Sequence, residues 1–292
     1  MMFEFLPTID SAEIARQRQS ELNIPRLQAA RLGQSALNAS QQGFYHYQNR
    51  EINWSSLVTR SKKLKRSISP QDTLPMPADR PHSTTKVQVS NEATLGAAFR
   101  HVEKGLNPVA LNFASGINPG GGFLSGSRAQ EEVLCRSSCL YSTLAGDPMY
   151  AEHLKRPRPD STDWSIYSPK VPVFRTDKGA ELEAPWLLDI ISCAAPYAPA
   201  IGQPESAILL EQRVKRVLSI AKAFEHQHLI LGAWGCGAFG NDAQQTAISF
   251  RRALETEFEG VFSKIVFAIA DWSPGRKFLG PFRDVFSSNF WL

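Results

Sequence analysis

The chain has 292 residues, of which 42% are hydrophobic, and this can support a sizeable core in one large domain or two small ones. Its formal net charge of +4 suits an anionic ligand without requiring one. No segment approaches the roughly 18 apolar residues that a membrane span needs, and the first residues lack the basic and apolar regions of a secretory signal. We therefore expect no membrane partner and a cytoplasmic location, or a nuclear one if the source is eukaryotic.

Residues 1–85 are predicted to form a helical N-terminal extension. Ser11–Leu37 is polar and helix-prone, with an interruption at Pro25. Five of the seven residues in Arg60–Arg66 are basic, which indicates a solvated linker, a polyanion contact or an import signal. The following segment, Ser69–Thr85, should be irregular because its prolines remove backbone donors. It contains Pro70, Pro75, Pro77 and Pro81.

Residues 86–292 alternate predicted strands with predicted helices and should form the main domain. Strands are predicted at 87–89, 109–113, 166–174, 186–194, 229–231 and 264–270. Helices are predicted at 91–102 with Asn91 as its cap, 131–144, 211–224 and 243–258. This order indicates an α/β fold with a mixed, largely parallel sheet and helices on both faces, which binds ligands beyond the carboxyl ends of its strands.

A first glycine-rich loop follows the second predicted strand of this domain. It contains Asn118 and three consecutive glycines, Gly120, Gly121 and Gly122. Glycines permit positive φ angles and leave no Cβ between the backbone and a ligand, so their amides can line an anion. A flexible turn is the alternative, but a turn rarely needs three glycines directly behind a core strand. We therefore predict a binding loop.

A second glycine-rich loop runs from Gly232 to Asn241. Its predicted binding residues are Gly235, Cys236, Gly237, Ala238, Phe239, Gly240 and Asn241. Residues 235–240 spell Gly-x-Gly-x-x-Gly, the dinucleotide-binding fingerprint, and Asp271 ends the next strand, where a ribose-binding carboxylate could lie. Only 21 residues follow Asp271, too few for the rest of a Rossmann half. A diphosphate cradle is therefore favoured over a nicotinamide site, and Asn241 or Asp242 can cap the next helix.

Two adjacent carboxylates, Glu131 and Glu132, follow Gln130 at the start of a predicted helix. Alone, such a pair is ordinarily a complement to the helix dipole. Here it lies behind a phosphate-binding loop, where a glycosidic bond would lie in a bound nucleotide diphosphate sugar. Desolvation and the neighbouring charge disfavour double ionisation, so one of the two could hold a proton for general-acid catalysis.

The four cysteines, Cys135, Cys139, Cys193 and Cys236, form no Cys-x-x-Cys motif. Cys135 and Cys139 would be neighbours on a helix, and two small core residues are favoured over a metal or redox pair. We expect no metal, no other cofactor and no disulfide scaffold.

Taken together, these motifs resemble the signature of poly(ADP-ribose) glycohydrolases. The resemblance rests on Gly120–Gly122, followed after seven intervening residues by Gln130–Glu132. The segments that resemble the microbial-type branch are Asn112–Ser115, Tyr167–Pro169, Val171–Phe174 and Gly232–Asn241, and the match extends from about Arg16 to Asp271. The resemblance implies a three-layer α/β/α macrodomain that acts on poly(ADP-ribose) or ADP-ribosylated proteins and reverses ADP-ribosylation.

The resemblance also implies roles for the residues of the motifs. Glu132 would protonate the leaving ribose 2′-oxygen and then deprotonate the attacking water, while Glu131 would orient the substrate ribose. Gln130 would fix this constellation. The loop Gly235–Gly240 would hold the diphosphate, with Phe239 near the distal ribose. Cleavage from the chain terminus is expected, by a single acid–base residue rather than the two opposed carboxylates of most glycosidases.

Three other functions compete with this prediction. A non-catalytic ADP-ribose reader would have no need for the acid pair, and a hydrolase of single ADP-ribose units is compatible with the same motifs. A dinucleotide-dependent oxidoreductase is disfavoured for lack of strands. No direct nucleic-acid readout is expected, because no basic groove with interleaved aromatic residues is visible.

Overall fold

The computed structural model describes residues 2–75, 81–288 and 290; Pro77, one of the four prolines of the predicted irregular segment, lies outside them. None of the helices in this part of the chain is both long and apolar enough to cross a lipid bilayer.

Among the described residues, eight of ten strands form one sheet, in the order β1-β5-β10-β9-β6-β8-β7-β4, and β2 and β3 form a separate hairpin. The strands are β1 Met2–Phe5, β2 Phe44–Tyr47, β3 Arg50–Asn53, β4 Arg66–Ile68, β5 Thr84–Ser90, β6 Pro108–Ala114, β7 Ser165–Arg175, β8 Glu181–Ala194, β9 His228–Leu231 and β10 Lys264–Ala268. In this spatial order, every pair of neighbouring strands from β1 across to β8 is parallel, whereas β7 pairs antiparallel with both β8 and β4. The predicted mixed, largely parallel sheet is confirmed.

Helices lie between most of the strands. They are α1 Ala12–Leu22, α2 Arg26–Gln42, α3 Ser55–Leu64, α4 Thr94–Val102, α5 Gln130–Ser137, α6 Leu140–Leu144, α7 Pro148–Leu154, α8 Ala198–Ile201, α9 Glu205–Ala223, α10 Ala243–Glu255 and α11 Leu279–Val285. A short 3₁₀-helix, Phe123–Ser125, follows the glycine triplet.

Two hydrophobic cores lie on opposite faces of the sheet, because alternate residues of a strand point to opposite sides. On β6, Val109 and Leu111 belong to the core under α9, α10 and α11. Ala110 belongs to the core under α2 to α7, which also contains Trp54. The protein is therefore a three-layer α/β/α sandwich, as expected.

The N-terminal residues contribute to the same sheet as the rest of the chain. β1 pairs with β5 at one edge, and β4 pairs with β7 at the other. α1 begins where the Ser11 hydroxyl accepts the Ile14 N–H, and α2 follows Pro25, as the sequence predicts. The division of the chain at residue 85 stays a prediction, although β1 and β4 from residues 1–85 lie in the same sheet as the strands of residues 86–292.

Two predicted local features are wrong. Asn91 does not cap a helix; its side-chain amide donates to Asp10 and to the Asp271 carbonyl, and α4 begins three residues later. The helix predicted for residues 131–144 is broken at Ser138, which has an extended backbone and forms a β-bridge with Val173. In both places, contacts with distant residues outweigh the local pattern.

Candidate active site

A cleft lies where β6, β9 and β10 end at their carboxyl edge. It has two compartments, of about 260 Å³ and about 170 Å³. The residues common to both are Phe113, Ala129, Gln130, Ala233 and Gly237. The compartments are therefore two halves of one site, in the place that the alternation of strands and helices predicts.

The larger compartment is mainly apolar. Its walls include Leu22 from α1, Val133 from α5, and Trp272 and Phe278 from the segment after β10. Asp177 also lines it, and burial raises the pKa of this carboxyl to about 6, with the charge of Glu21 adding to the effect. A flat aromatic group with a few polar edges suits such a compartment.

Gln130 joins the start of α5 to the sheet. Its Oε1 accepts the Phe113 N–H at 2.9 Å, and its Nε2 donates to the Leu111 carbonyl at 2.7 Å and to the Thr94 hydroxyl at 3.1 Å. Because both ends of this amide are satisfied, Gln130 fixes the first turn of α5 against the end of β6.

Glu131 is buried, with 3% of its surface exposed, and lines the smaller compartment. One carboxyl oxygen accepts the Ser115 N–H at 2.7 Å, and the other is 3.3 Å from the Asn112 amide. These contacts and the Gly120 backbone favour the charged form, but burial outweighs them and, with the neighbouring Glu132, raises the pKa of Glu131 to about 8. Burial therefore favours the neutral form of Glu131.

Glu132 lies beside it in the same compartment, 7% exposed. Its Oε1 accepts the Gly122 N–H at 2.9 Å. Its Oε2 is buried and has no hydrogen-bond partner among the described residues. One oxygen is thus held by the backbone, while the other is not.

A buried arginine lies one helical turn after Glu132. The Arg136 side chain is 1% exposed, and none of its three guanidinium nitrogens has a partner in the described part of the chain. Burial lowers the pKa of Arg136, while the charges of Asp177 and Glu132 raise it. Its positive charge therefore offsets part of the negative charge that would collect around the acid pair.

The first glycine loop contacts the carboxylates. Gly120 and Gly121 have φ angles of +70° and +58°, and a Cβ at Gly121 would lie 2.3 Å from Oε1 of Glu132. The Gly121 N–H donates to the carbonyl of the exposed Asn118, which closes the turn. The loop therefore positions the acid pair. Direct binding of substrate by Asn118 and the triplet stays a prediction.

The second glycine loop presents unpaired amides. The N–H groups of Gly237, Ala238 and Phe239 donate to no described residue, and all three residues line the smaller compartment. Successive free N–H groups in a turn form a concave site for an anion such as a phosphate. Gly235 also lines this compartment, where its φ of +75° turns the chain.

Three other residues predicted to bind substrate shape the loop without lining the cleft. Cys236 is buried, with its thiol 3.5 Å from the Thr246 hydroxyl. The Gly240 N–H donates to the Gly237 carbonyl. The Asn241 amide donates to the carbonyls of Pro196 and Gly235, at 2.9 and 3.1 Å, while Asp242 is the residue that caps α10.

Asp271 does not offer a carboxylate for a ribose. Its Oδ1 accepts the N–H and hydroxyl of Ser273, and its Oδ2 accepts the N–H groups of Phe278 and Leu279. It holds the segment that carries Trp272 and Phe278 into the larger compartment. The second element of the dinucleotide fingerprint is therefore absent from this site.

The cysteines are core residues. All four are buried with free thiols, and burial raises the pKa of Cys139 and Cys236 to about 12. Among the residues that the structure describes, no group of three or more His, Cys, Asp or Glu side chains could hold a metal ion.

Several residues of the site carry no distinct sequence signal. Trp272 and Phe278 follow the last strand in an irregular segment, and Leu22 comes from the N-terminal extension. Asn112 and Ser115 contact Glu131, and only the family resemblance of the segment 112–115 indicates them.

The family model described as "Microbial-type PARG, catalytic domain" matches residues 33–176, a range that includes the glycine triplet and the acid pair. No curated protein matches the chain by sequence.

Solved structures match more of the chain. The poly(ADP-ribose) glycohydrolase of Thermomonospora curvata is 36% identical, with a TM-score of 0.83 over 88% of this chain and 99% of that one. The same enzyme bound to the inhibitor ADP-HPD gives a TM-score of 0.79 at 36% identity, over 88% and 98%. The Deinococcus radiodurans poly(ADP-ribose) glycohydrolase in complex with ADP-ribose is 39% identical, with a TM-score of 0.73 over 82% and 100%.

Proposed function

Because this chain belongs to the microbial-type poly(ADP-ribose) glycohydrolase family, we propose that it cleaves the ribose–ribose bond of the polymer with Glu132 as its general acid and base. It is a glycosidase of macrodomain fold that acts on poly(ADP-ribose). From the geometry of the site we also propose a role for each of its main side chains.

The terminal ADP-ribose unit would lie across both compartments. The unpaired amides of Gly237, Ala238 and Phe239 would hold its diphosphate. The adenine would occupy the larger, apolar compartment beside Trp272 and Phe278. This orientation brings the distal ribose to Glu131 and Glu132. It is supported by the shape and polarity of the cleft.

The unpartnered Oε2 of Glu132 is the observation that carries this proposal. As the glycosidic C–O bond breaks, Glu132 gives its proton to the leaving ribose 2′-oxygen, and the distal ribose becomes oxocarbenium-like. A water then attacks the anomeric carbon and gives a proton back to Glu132, which releases ADP-ribose and restores the acid. The negative charge of the nearby diphosphate stabilises the positive ribose.

Glu131 serves a different role. Both oxygens of Glu131 are occupied by hydrogen bonds, and because it adjoins Glu132 the two carboxyls cannot readily flank a bond from opposite faces, which argues against a covalent intermediate. We assign Glu131 to orienting the ribose hydroxyls. The reaction then uses one acid–base residue, in place of the pair of opposed carboxylates that most glycosidases use.

Purified poly(ADP-ribose) should be incubated with the wild type and with Glu132→Gln, and free ADP-ribose measured by chromatography. We expect the variant to fold, to bind ADP-ribose, and to lose about 10²-fold or more of the rate, the scale of general acid–base catalysis. Glu152→Gln, on an exposed glutamate of α7, serves as the control. Near-normal turnover by Glu132→Gln contradicts the assignment, and release of oligomers ahead of ADP-ribose contradicts cleavage from the chain terminus.

A further inference from the structure

The start of α2 is bound to the segment that carries the catalytic residues. The Arg26 Nε donates to the Ser125 carbonyl at 2.9 Å. Arg128, four residues before Glu132, donates to the Asn23 side chain and to the Ile24 carbonyl, both at 2.8 Å. Residues 23–26 thus hold both sides of the turn between the glycine triplet and α5.

Backbone also meets backbone at this junction. A Cβ at Gly33 would lie 2.4 Å from the Phe123 carbonyl oxygen, and a Cβ at Gly126 would lie 2.2 Å from the Arg26 carbonyl oxygen. Gly126 has a φ of +85°, which favours glycine. α2 and the 3₁₀-helix are therefore packed closely, so the turn cannot move toward α2, and the hydrogen bonds of Arg26 and Arg128 oppose its movement away.

A continuous series of hydrogen bonds leads from this junction to Glu132. Arg26 donates to the Ser125 carbonyl, and the Ser125 N–H donates to the Gly122 carbonyl at 3.0 Å. The Ser125 hydroxyl donates to the same Gly122 carbonyl, also at 3.0 Å. The Gly122 N–H then donates to Oε1 of Glu132 at 2.9 Å. The C=O and N–H groups of Ser125 lie on either side of its Cα, as do those of Gly122, so these bonds are connected through the backbone of the turn.

We propose that Arg26, on the helical extension, is a positioning residue for Glu132, acting through Ser125 and Gly122. By fixing the backbone on both sides of Gly122, Arg26 holds one oxygen of Glu132 and so directs the other toward the glycosidic oxygen. This gives α2 a role in the reaction, and it rests on the proposed role of Glu132. General-acid catalysis is sensitive to such placement, because a displacement of about 1 Å can cost a large part of the rate.

Arg26→Ala tests this role, with Arg31→Ala as a matched control. Both arginines are exposed on α2, but no described residue forms a hydrogen bond or ion pair with Arg31. Arg26→Ala should lower kcat about tenfold, the scale of one hydrogen bond from a charged donor, and leave the Kd for ADP-ribose within about twofold. Arg26→Lys, which keeps one donor, should recover part of kcat. Arg31→Ala should match the wild type.

Amide hydrogen exchange of the peptide 120–127 supplies a readout that does not depend on activity. It should be faster in Arg26→Ala than in the wild type or in Arg31→Ala, since the turn loses its outer anchor. An unchanged kcat, an unchanged exchange rate, or an equal loss in Arg31→Ala overturns the proposal. Activity of Glu132→Gln would contradict the proposed function separately, because the exchange measurement still reports on the coupling between Arg26 and the loop.

Discussion

Glu131 and Glu132 are adjacent in sequence, yet their carboxyl groups meet different surroundings. Both oxygens of Glu131 face donors, whereas Glu132 has one bound and one unpartnered oxygen. The Asn112 amide oxygen also lacks a partner among the described residues. If this amide turns by 180°, its oxygen can accept the proton of a neutral Glu131. Asn112 could then support either protonation state of its neighbour.

The raised pKa of Glu131 predicts a pH-dependent loss of stability. The folded protein holds this proton up to about pH 8, whereas the unfolded chain releases it near pH 4.5. Between these values the folded state binds more protons, so its free energy of unfolding falls as pH rises, by up to about 1.4 kcal/mol per unit. Relative to the wild type, Glu131→Gln should become progressively more stable from pH 5 to pH 8, and the difference should level off above pH 8.

Urea unfolding of both proteins at pH 5, 6.5, 8 and 9 measures this difference. Gln keeps an oxygen for the Ser115 N–H, so the fold should persist in the variant. Glu152→Gln should follow the wild-type curve. A constant difference between Glu131→Gln and the wild type across this range would show that Glu131 is already ionised at pH 5.

At the scale of elements, the two glycine-rich loops differ in what their backbone N–H groups contact. The first directs its amides toward the acid pair, and the second leaves its amides free for a ligand. Their glycines are also of two kinds. A Cβ at Gly235 would lie 2.8 Å from both Ala195 and Asn241, whereas a Cβ at Gly237 would meet nothing within 4 Å. The fold therefore requires glycine at position 235, whereas no contact of the described residues requires it at position 237.

Gly237→Val should therefore abolish ADP-ribose binding without unfolding the protein. The added side chain would project between the two compartments and cover the free amides. Titration calorimetry should detect ADP-ribose binding to the wild type, weaker binding to Gly237→Ala and none to Gly237→Val. Thermal unfolding should be close to wild type for both variants but lowered for Gly235→Val, which strains a φ of +75°.

The same titrations separate a diphosphate cradle from a dinucleotide site. We expect clear binding of ADP-ribose and little of NADH, because the nicotinamide would be directed toward the loop and the acid pair. NADH binding tighter than that of ADP-ribose would overturn the assignment of the loop. Unchanged ADP-ribose binding by Gly237→Val would place the diphosphate elsewhere.

Elements with a strong local pattern could be predicted from the sequence, and so could the motifs that lie within one segment. The strands near residues 87–89, 109–113 and 229–231 were found, as was the succession Gln130, Glu131, Glu132. The break at Ser138 depends on pairing with Val173, and Asn91 is drawn away by Asp10 and Asp271. No local pattern records such partners. For the same reason the contact of Arg26 with Ser125 could not be predicted from the residues next to Arg26 in the sequence.

At the scale of the whole molecule, the N-terminal residues are part of the central sheet and of one of the two helical layers. Trp54 is fully buried, with its ring centroid 4.7 Å from that of Phe174 and its Nε1 donating to the Ala39 carbonyl at 3.0 Å. The face of the sheet that packs against α2 to α7 is therefore partly covered by helices from residues 1–85. β1 and β4 add hydrogen bonds at its two edges.

A chain limited to residues 86–292 should therefore fail to unfold cooperatively, although a domain boundary was predicted at residue 85. It would expose the core that Trp54 and α2 cover. It would also make β5 and β7 the edge strands of the sheet, each with one side unpaired. Circular dichroism and urea unfolding, compared with the full chain, measure this. A chain that lacks only residues 1–5, and so only β1, is the control and should keep a cooperative transition at lower stability. Cooperative unfolding and ADP-ribose binding by residues 86–292 would establish the boundary, and a wild-type kcat of the same chain would leave α2 without a role in positioning Glu132.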